Sequence, residues 1–379
     1  MRSRRSRVAF PVIVAALAAS CFLVAPAGGA TPTDTTSAVA AAAWIVDQQL
    51  PDGGFEVAGS QGFETPDAIL AIAEAAQTSP TWSTAEALAA IEALEYGGSG
   101  GPTPLDAIDD WITSGVNPGE AAKIVLLVAA PLGIDPEHFG PSDTDLTAIM
   151  YPSGCASAPD TSGIFFYESM FLALGGKVVC GAPDATIVAA VRGKQRPSGG
   201  WNFNGSLVPV DPPDPFDLNN PDVDSTAIAM EVLVAGGAAW NDPAILAGLA
   251  YLAAQHTASG AFLAFGSDDP NATSVAMLAI TAAGFDPNVS CWRDTVVPAD
   301  AGDPYAAPNA WLRSQQQPDG HIASPNDGFG TNTFASSQSV EALLLTWLPI
   351  VRATGAPTCV PDPPGDTTAP VDLVPRFTG

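Results

Sequence analysis

Basic residues are scarce in this chain. Its 379 residues include 13 Lys and Arg against 40 Asp and Glu. Four of the 13 (Arg2, Arg4, Arg5 and Arg7) fall in the first 30 residues, which hold no acid, so nine face 40 over the remainder, a net charge of −31. Such a chain repels phosphate backbones and anionic lipid surfaces, which excludes nucleic acid and anionic membranes as partners. Histidine is rarer still: His138, His256 and His321 stand far apart, and no CxxC or close His–Cys spacing suggests a zinc site. Beyond residue 30 no apolar run reaches the roughly 18 residues of a membrane span. Hydrophobic residues make up 47% of the chain, enough for a large core, and this excludes general disorder.

The first 30 residues read as an export signal. A basic start precedes an apolar stretch from Val8 to Ala25, and small residues around Ala25, Ala27 and Ala30 offer cleavage sites. The apolar run continues through Phe22 past Cys21, which argues against a lipid anchor there. The expected product is secreted or held at the cell surface, with no membrane span in the mature chain. Four cysteines survive cleavage: Cys155, Cys180, Cys291 and Cys359. An even count in an exported chain predicts two disulfides. We expect Cys155–Cys180 and Cys291–Cys359, because each pair brackets one structural unit. The expected organisation is a signal over 1–30, one repeat domain over 31–352 and a Pro/Thr-rich tail over 353–379.

Self-similarity is the strongest signal. Residues 44–55 read WIVDQQLPDGGF and residues 311–322 read WLRSQQQPDGHI; YLAAQHTASGAF at 251–262 and QRPSGGW at 195–201 lie between them. Trp44, Gln49, Gly53 and Phe55 have the same spacing as Trp311, Gln316, Gly320 and Ile322, and as Tyr251, His256, Gly260 and Phe262. Gln195, Gly199 and Trp201 preserve the second half. A more apolar segment follows each turn, at 66–76, 224–237, 271–284 and 336–347. Weaker units at 105–133 and 143–176 bring the total to about six helix pairs. The first helix of each pair has mixed polarity and suits an outer position. The second is apolar nearly all round and must be buried on both faces. Its polar start supplies N-caps, for which Asp224, Asn271 and Ser336 are the candidates, and Gly236, Gly237 and Gly284 supply stops. Two concentric rings of helices, an all-α α/α toroid, bury both faces without special caps. The turns at Gly53, Gly199, Gly260 and Gly320 are expected on one rim.

QRPSGGW at 195–201 resembles the QxxxGxW repeat of the terpene cyclase and protein prenyltransferase superfamily. The resemblance covers about residues 38–350 and implies the toroid. It leaves function open, because similar toroids serve as enzymes, vitamin carriers and thioester modules. In style the single exported toroid is nearest to the first domain of transcobalamin and intrinsic-factor carriers. Zinc-dependent prenyl transfer lacks its Asp, Cys and His set here, and His256 simply occupies the Gln place of a repeat turn. No cysteine has the CGEQ context of a thioester. A class II cyclase carries DxDD at the start of an inner helix, where the middle acid protonates an alkene or epoxide. PDVDSTA at 221–227 matches with Asp222 and Asp224, but Ser225 replaces the last acid. The lost carboxylate and the helix N-terminus both weaken a protonated Asp224. The inner helices, rich in Ala, Val and Leu, also speak against an aromatic cavity. A toroid glycoside hydrolase or polysaccharide lyase would need paired carboxylates in a cleft, for which Glu64, Asp67, Glu120 and Glu168 are undistinguished candidates.

The insertion at 202–223 holds Asp211, Asp214, Asp217, Asn219, Asn220 and Asp222; of these Asp217, Asn219 and Asp222 are weak calcium candidates without EF-hand spacing. No other cofactor is implied. By elimination, the expectation is an exported non-catalytic protein whose toroid mouth binds a small molecule or a surface partner. Class II cyclisation with Asp224 as proton donor is the alternative. Acidic loops at 211–224 and Asp268–Asp269 oppose the positive helix N-termini at the mouth, so the expected ligand is neutral or cationic.

Overall fold

The structure is a computed structural model that describes residues 30–56, 62–79, 81–209, 216–297, 305–325, 333–345, 352–353 and 355–356. The expected signal and nearly all of the tail lie outside them. Among the described residues, six helices form an inner ring: α2 (Thr65–Ala75), α5 (Pro118–Ile124, continued by a π-helical stretch Val125–Ala129 and a last turn Ala130–Leu132), α7 (Phe166–Cys180), α9 (Val223–Ala235), α11 (Pro270–Ala282) and α14 (Phe334–Leu344). Each packs on the next in that order, and α14 returns to α2. The outer layer comprises α1 (Pro32–Val46), α3 (Thr84–Glu92), α4 (Pro104–Gly115), α6 (Leu146–Met150), α8 (Ala185–Gly193), α10 (Pro243–Gln255), α12 (Cys291–Asp294) and α13 (Pro308–Ser314). The fold is the all-α toroid that the repeat implied. The outer layer closes where Arg313 and Asn309 on α13 bond to the buried Asp34 carboxylate on α1.

The repeat turn explains its own sequence. Gln49 Nε2 donates to Gly53 O (3.0 Å) and reaches Leu94 O (3.1 Å) in the next unit. Gln195 does the same to Gly199 O (2.8 Å) and Ala244 O (2.9 Å), and Gln316 to Gly320 O (2.9 Å) and Ser37 O (2.8 Å). His256 stands in the Gln place, with Nε2 3.1 Å from Ala306 O. The amide thus closes its own turn and staples it to the neighbouring pair. Gly199 has φ +92°, and a Cβ there would stand 2.1 Å from Ala247 O, so only glycine fits. The residue two beyond the glycine is buried and donates its N–H to a hydroxyl on the inner helix. Phe55, Trp201, Phe262 and Ile322 pair in this way with Thr65, Thr226, Thr273 and Ser336 at 2.8 to 3.0 Å.

Cys155 and Cys180 form the expected disulfide, which ties the loop before α7 to its C-terminus. Cys291 is also disulfide-bonded, and its expected partner Cys359 lies outside the described residues.

Candidate active site

The N-terminal ends of five inner helices, α2, α5, α7, α9 and α14, line a cavity of about 980 Å³. Its wall is aromatic, contrary to the sequence expectation. Tyr167 stacks on Phe203 (centroids 5.2 Å apart), Phe63 lies against Phe334 (4.4 Å), and Phe216 stacks on Phe265 (5.4 Å). Trp111, Phe171 and Tyr251 also face the space. Most of these rings come from the first turns of inner helices and from the loops leading into them. The Ala-, Val- and Leu-rich shafts pack helix against helix instead.

The start of α9 lies on this wall. Asp222 has extended backbone (φ −132°, ψ 164°) and accepts from Ser225 N (2.6 Å) and Ser225 Oγ (2.8 Å). It is therefore the N-cap. The expectation that Asp224 caps the helix is corrected: Asp224 is the second residue of α9, and its side chain is left over for the cavity. The other two cap candidates move back in the same way. Asp269 rather than Asn271 caps α11, accepting from Ala272 N at 2.9 Å, and Thr333 rather than Ser336 stands at the N-cap of α14. A second internal repeat thereby emerges. Asp222-Val-Asp224-Ser-Thr226 and Asp269-Pro-Asn271-Ala-Thr273 share a cap, a polar residue two positions on and a hydroxyl that receives the turn N–H. Aligning the turn motifs would have exposed this pattern in the sequence, with Asp222 as the cap.

Electrostatics set Asp224 apart. Its Oδ1 is sealed from solvent and has no hydrogen-bond partner among the described residues. Burial, then the nearby carboxyls of Asp222 and Asp269, hold it well above the ordinary Asp range. Burial also pushes Asp222 up to about 6, against the stabilising hydrogen bonds from Ser225. The sequence argument that the helix N-terminus would ionise Asp224 fails on magnitude. That end contributes about 0.3–1 kcal/mol at an exposed site, whereas desolvating a carboxylate costs several kcal/mol. The phenol of Tyr167 is raised too, first by burial and then by Asp224 and Asp222. Lys123 is the one Lys or Arg among the described lining residues. It is held by Asp67 Oδ2 at 2.8 Å and donates to Phe63 O at 3.1 Å.

The other acids considered from the sequence have structural partners. Glu64 Oε1 accepts from Thr333 N (2.8 Å), and Glu120 and Glu168 accept from the backbone N–H groups of Asn117 and Phe165 (2.7 Å each). Of the calcium candidates, Asp217 Oδ1 accepts from Asn219 N and Nδ2 (2.8 Å each), while Asp222 is bound to Ser225. Asp211 and Asp214 lie outside the described residues.

No family model matches the chain, and no curated protein matches it. Among solved structures it is similar to the type II terpene cyclase MstE from Scytonema. A variant of that enzyme bound to the product merosterolic acid A aligns at 15% identity over 82% of this chain and 96% of that one, with a TM-score of 0.47. A second variant, bound to the substrate geranylgeranyl dihydroxybenzoate, aligns at 15% identity over 83% and 97%, again at 0.47. These likenesses concern the cyclase branch of the superfamily resemblance and lend nothing to the carrier branch. The expectation of a non-catalytic binding or interaction protein is corrected here. The matched structures are type II terpene cyclases, and the mouth carries a carboxyl raised above its ordinary range in an aromatic wall.

Proposed function

We propose that this chain is an acid-initiated cyclase of an uncharged isoprenoid chain, with Asp224 as the proton donor. The observation that carries the reading is the Asp224 carboxyl: raised by burial and by Asp222, unpartnered at Oδ1, and facing an aromatic cavity large enough for a folded polyprenyl chain. The O–H bond of Asp224 breaks as the π pair of a terminal alkene takes the proton, leaving a tertiary carbocation and the carboxylate. Successive alkene π pairs then close rings, a C–H bond beside the last cation breaks to form an alkene as its proton passes to a water at the mouth, and Asp224 takes a proton back from solvent. The rings of Tyr167, Phe171 and Phe334 line the cavity, and their π electrons would stabilise the cationic carbons. Apolar walls also exclude water, which would quench them. Tyr251 Oη donates to Pro221 O (2.6 Å) and fixes the segment that carries Asp222.

The charge of the wall supports a neutral substrate. Six carboxyl groups line the cavity, and its Lys123 is already paired with Asp67, so a diphosphate would find repulsion and no free cation. The export reading of residues 1–30 belongs to the same proposal and places the chemistry outside the cytoplasm. The test incubates purified protein with squalene and with neutral geranylgeranyl compounds and analyses the extracts by gas chromatography and mass spectrometry. Cyclised isomers of unchanged mass are expected, and Asp224→Asn should abolish them with helical content intact. Turnover that survives Asp224→Asn would remove Asp224 from this role.

A further inference from the structure

The proposed acid lacks one of the carboxylates that the matched motif would supply, because Ser225 stands where the last acid would be. Another group must then oppose ionisation at the N-terminal end of α9. Around Asp224 the charged or titratable groups are Asp222 at the cap of α9 and Glu231 two turns along it, Tyr167 and Glu168 on α7, Tyr251 on α10, the Asp67–Lys123 ion pair bridging α2 and α5, Glu120 on α5, Asp217 in the loop before α9, and Asp269 at the head of α11. Of the carboxyls, Asp222 acts most strongly on Asp224 and Asp269 next. The two tyrosines stay neutral, since burial raises both phenols. The ion pair is internally compensated.

Asp269 is placed differently. It ends the hairpin of β1 (Phe262–Ala264) and β2 (Ser267–Asp269), whose Leu263–Gly266 tip lines the cavity beside Asp224. It occupies in α11 the cap position that Asp222 occupies in α9, and the two helices pack side by side in the ring. Its side chain is 3% exposed, and both oxygens accept: Oδ1 from Ala272 N and Oδ2 from Ser324 Oγ, each at 2.9 Å. We propose that Asp269, a positioning residue on the neighbouring inner helix, supplies the second carboxylate that keeps Asp224 a neutral acid. The field of Asp269 is among the forces that raise Asp224, after burial and Asp222. The missing motif acid is thus replaced across a helix–helix interface. This inference rests on the reading of Asp224 as the proton donor.

Infrared spectroscopy of the full chain reads the proton directly and needs no substrate. The carbonyl band of a protonated buried carboxyl is assigned by its loss in Asp224→Asn, and its titration is followed in the parent and in Asp269→Asn. Asparagine is an equally good N-cap, so the helix start is retained. Asp269→Ser serves as a second charge-free cap if the first variant folds poorly. Asp268→Asn, one residue away, is the control for a general change of charge. The expected result is a midpoint lower by about one pH unit, a tenfold weaker hold on the proton, in Asp269→Asn and not in the control. A midpoint equal to that of the parent would overturn the role of Asp269 and leave the acid reading standing. Absence of any Asp224 band in the parent at neutral pH would overturn both.

Discussion

The starts of α9 and α11 are nearly the same structure with different contents. Each has an Asp cap, a polar residue two positions on and a hydroxyl two further that binds the turn N–H. At the polar position α9 carries Asp224 and α11 carries Asn271. The Asn271 Nδ2 donates to Gln338 Oε1 at 3.0 Å and is spent on the neighbouring helix, whereas Asp224 Oδ1 has no such partner among the described residues. Two turns along, α9 carries Glu231 and α11 Leu278. One scaffold thus holds one side chain spent on a neighbour and one carboxyl whose Oδ1 is left without a partner among the described residues. The difference lies in side chains that the backbone repeat leaves free.

The hardest test of this contrast is chemical. Asp224→Asn makes the two starts alike, and turnover of a neutral polyprenyl substrate should fall about a thousandfold, in line with removal of a general acid. Adding Asn271→Asp to that variant should not restore product. A rescue, read by mass spectrometry of the extracts, would show that the two positions are interchangeable.

Glu231 extends the comparison to stability. Burial lifts it from the ordinary 4.5 to about 8, so in the folded protein it is neutral where the unfolded chain is ionised. Its favourable contribution is complete below pH 4.5, declines as pH rises toward 8, and is flat beyond. The melting temperature should therefore drop between pH 5 and 8, and Glu231→Gln should flatten that slope. An unchanged slope would mean that Glu231 is ionised in the fold.

Two smaller effects probe the shared scaffold. Gly199 and Gly237 both have positive φ (+92° and +90°), but a Cβ at Gly199 meets Ala247 O and one at Gly237 meets nothing within 4 Å. Gly237→Ala should cost about 1 kcal/mol, the backbone penalty alone, and Gly199→Ala about 3 kcal/mol once the neighbouring helix must shift. Urea titration of both variants separates the two terms, and equal costs would show that the turn is not pinned to the next pair. Thr226→Val removes the acceptor of the Trp201 N–H in a buried site and should cost about 1.5 kcal/mol. Thr273→Val should match it through Phe262, since this part of the two starts is equivalent.

The legibility of the chain follows the same division. The inner helices begin one or two residues before the segments read at 66–76, 224–237, 271–284 and 336–347, and end one to three residues earlier. Periodicity and glycine punctuation gave them away, because burial on both faces leaves a sequence little choice. The pairing of Cys155 with Cys180 was legible for a related reason: it closes one repeat unit. The cavity was misread because its rings are scattered over helix starts and loops, from Phe63 to Phe334, and no window of sequence joins them.

The sequence by itself determined the repeat, its turns and the toroid, since these depend on contacts between neighbouring segments whose residues recur at fixed spacing. Only the tertiary structure decided that Asp222 is the cap and that Asp224 is left over, its Oδ1 buried without a partner among the described residues. That choice depends on which carboxyl finds the Ser225 N–H and which is left facing an aromatic wall beside Asp269, contributed by another turn of the ring. Protonation is a property of the surroundings. A sequence names the carboxyl and its neighbour Asp222, but the burial and the charge of Asp269, 45 positions away, come from the packing of other turns of the ring.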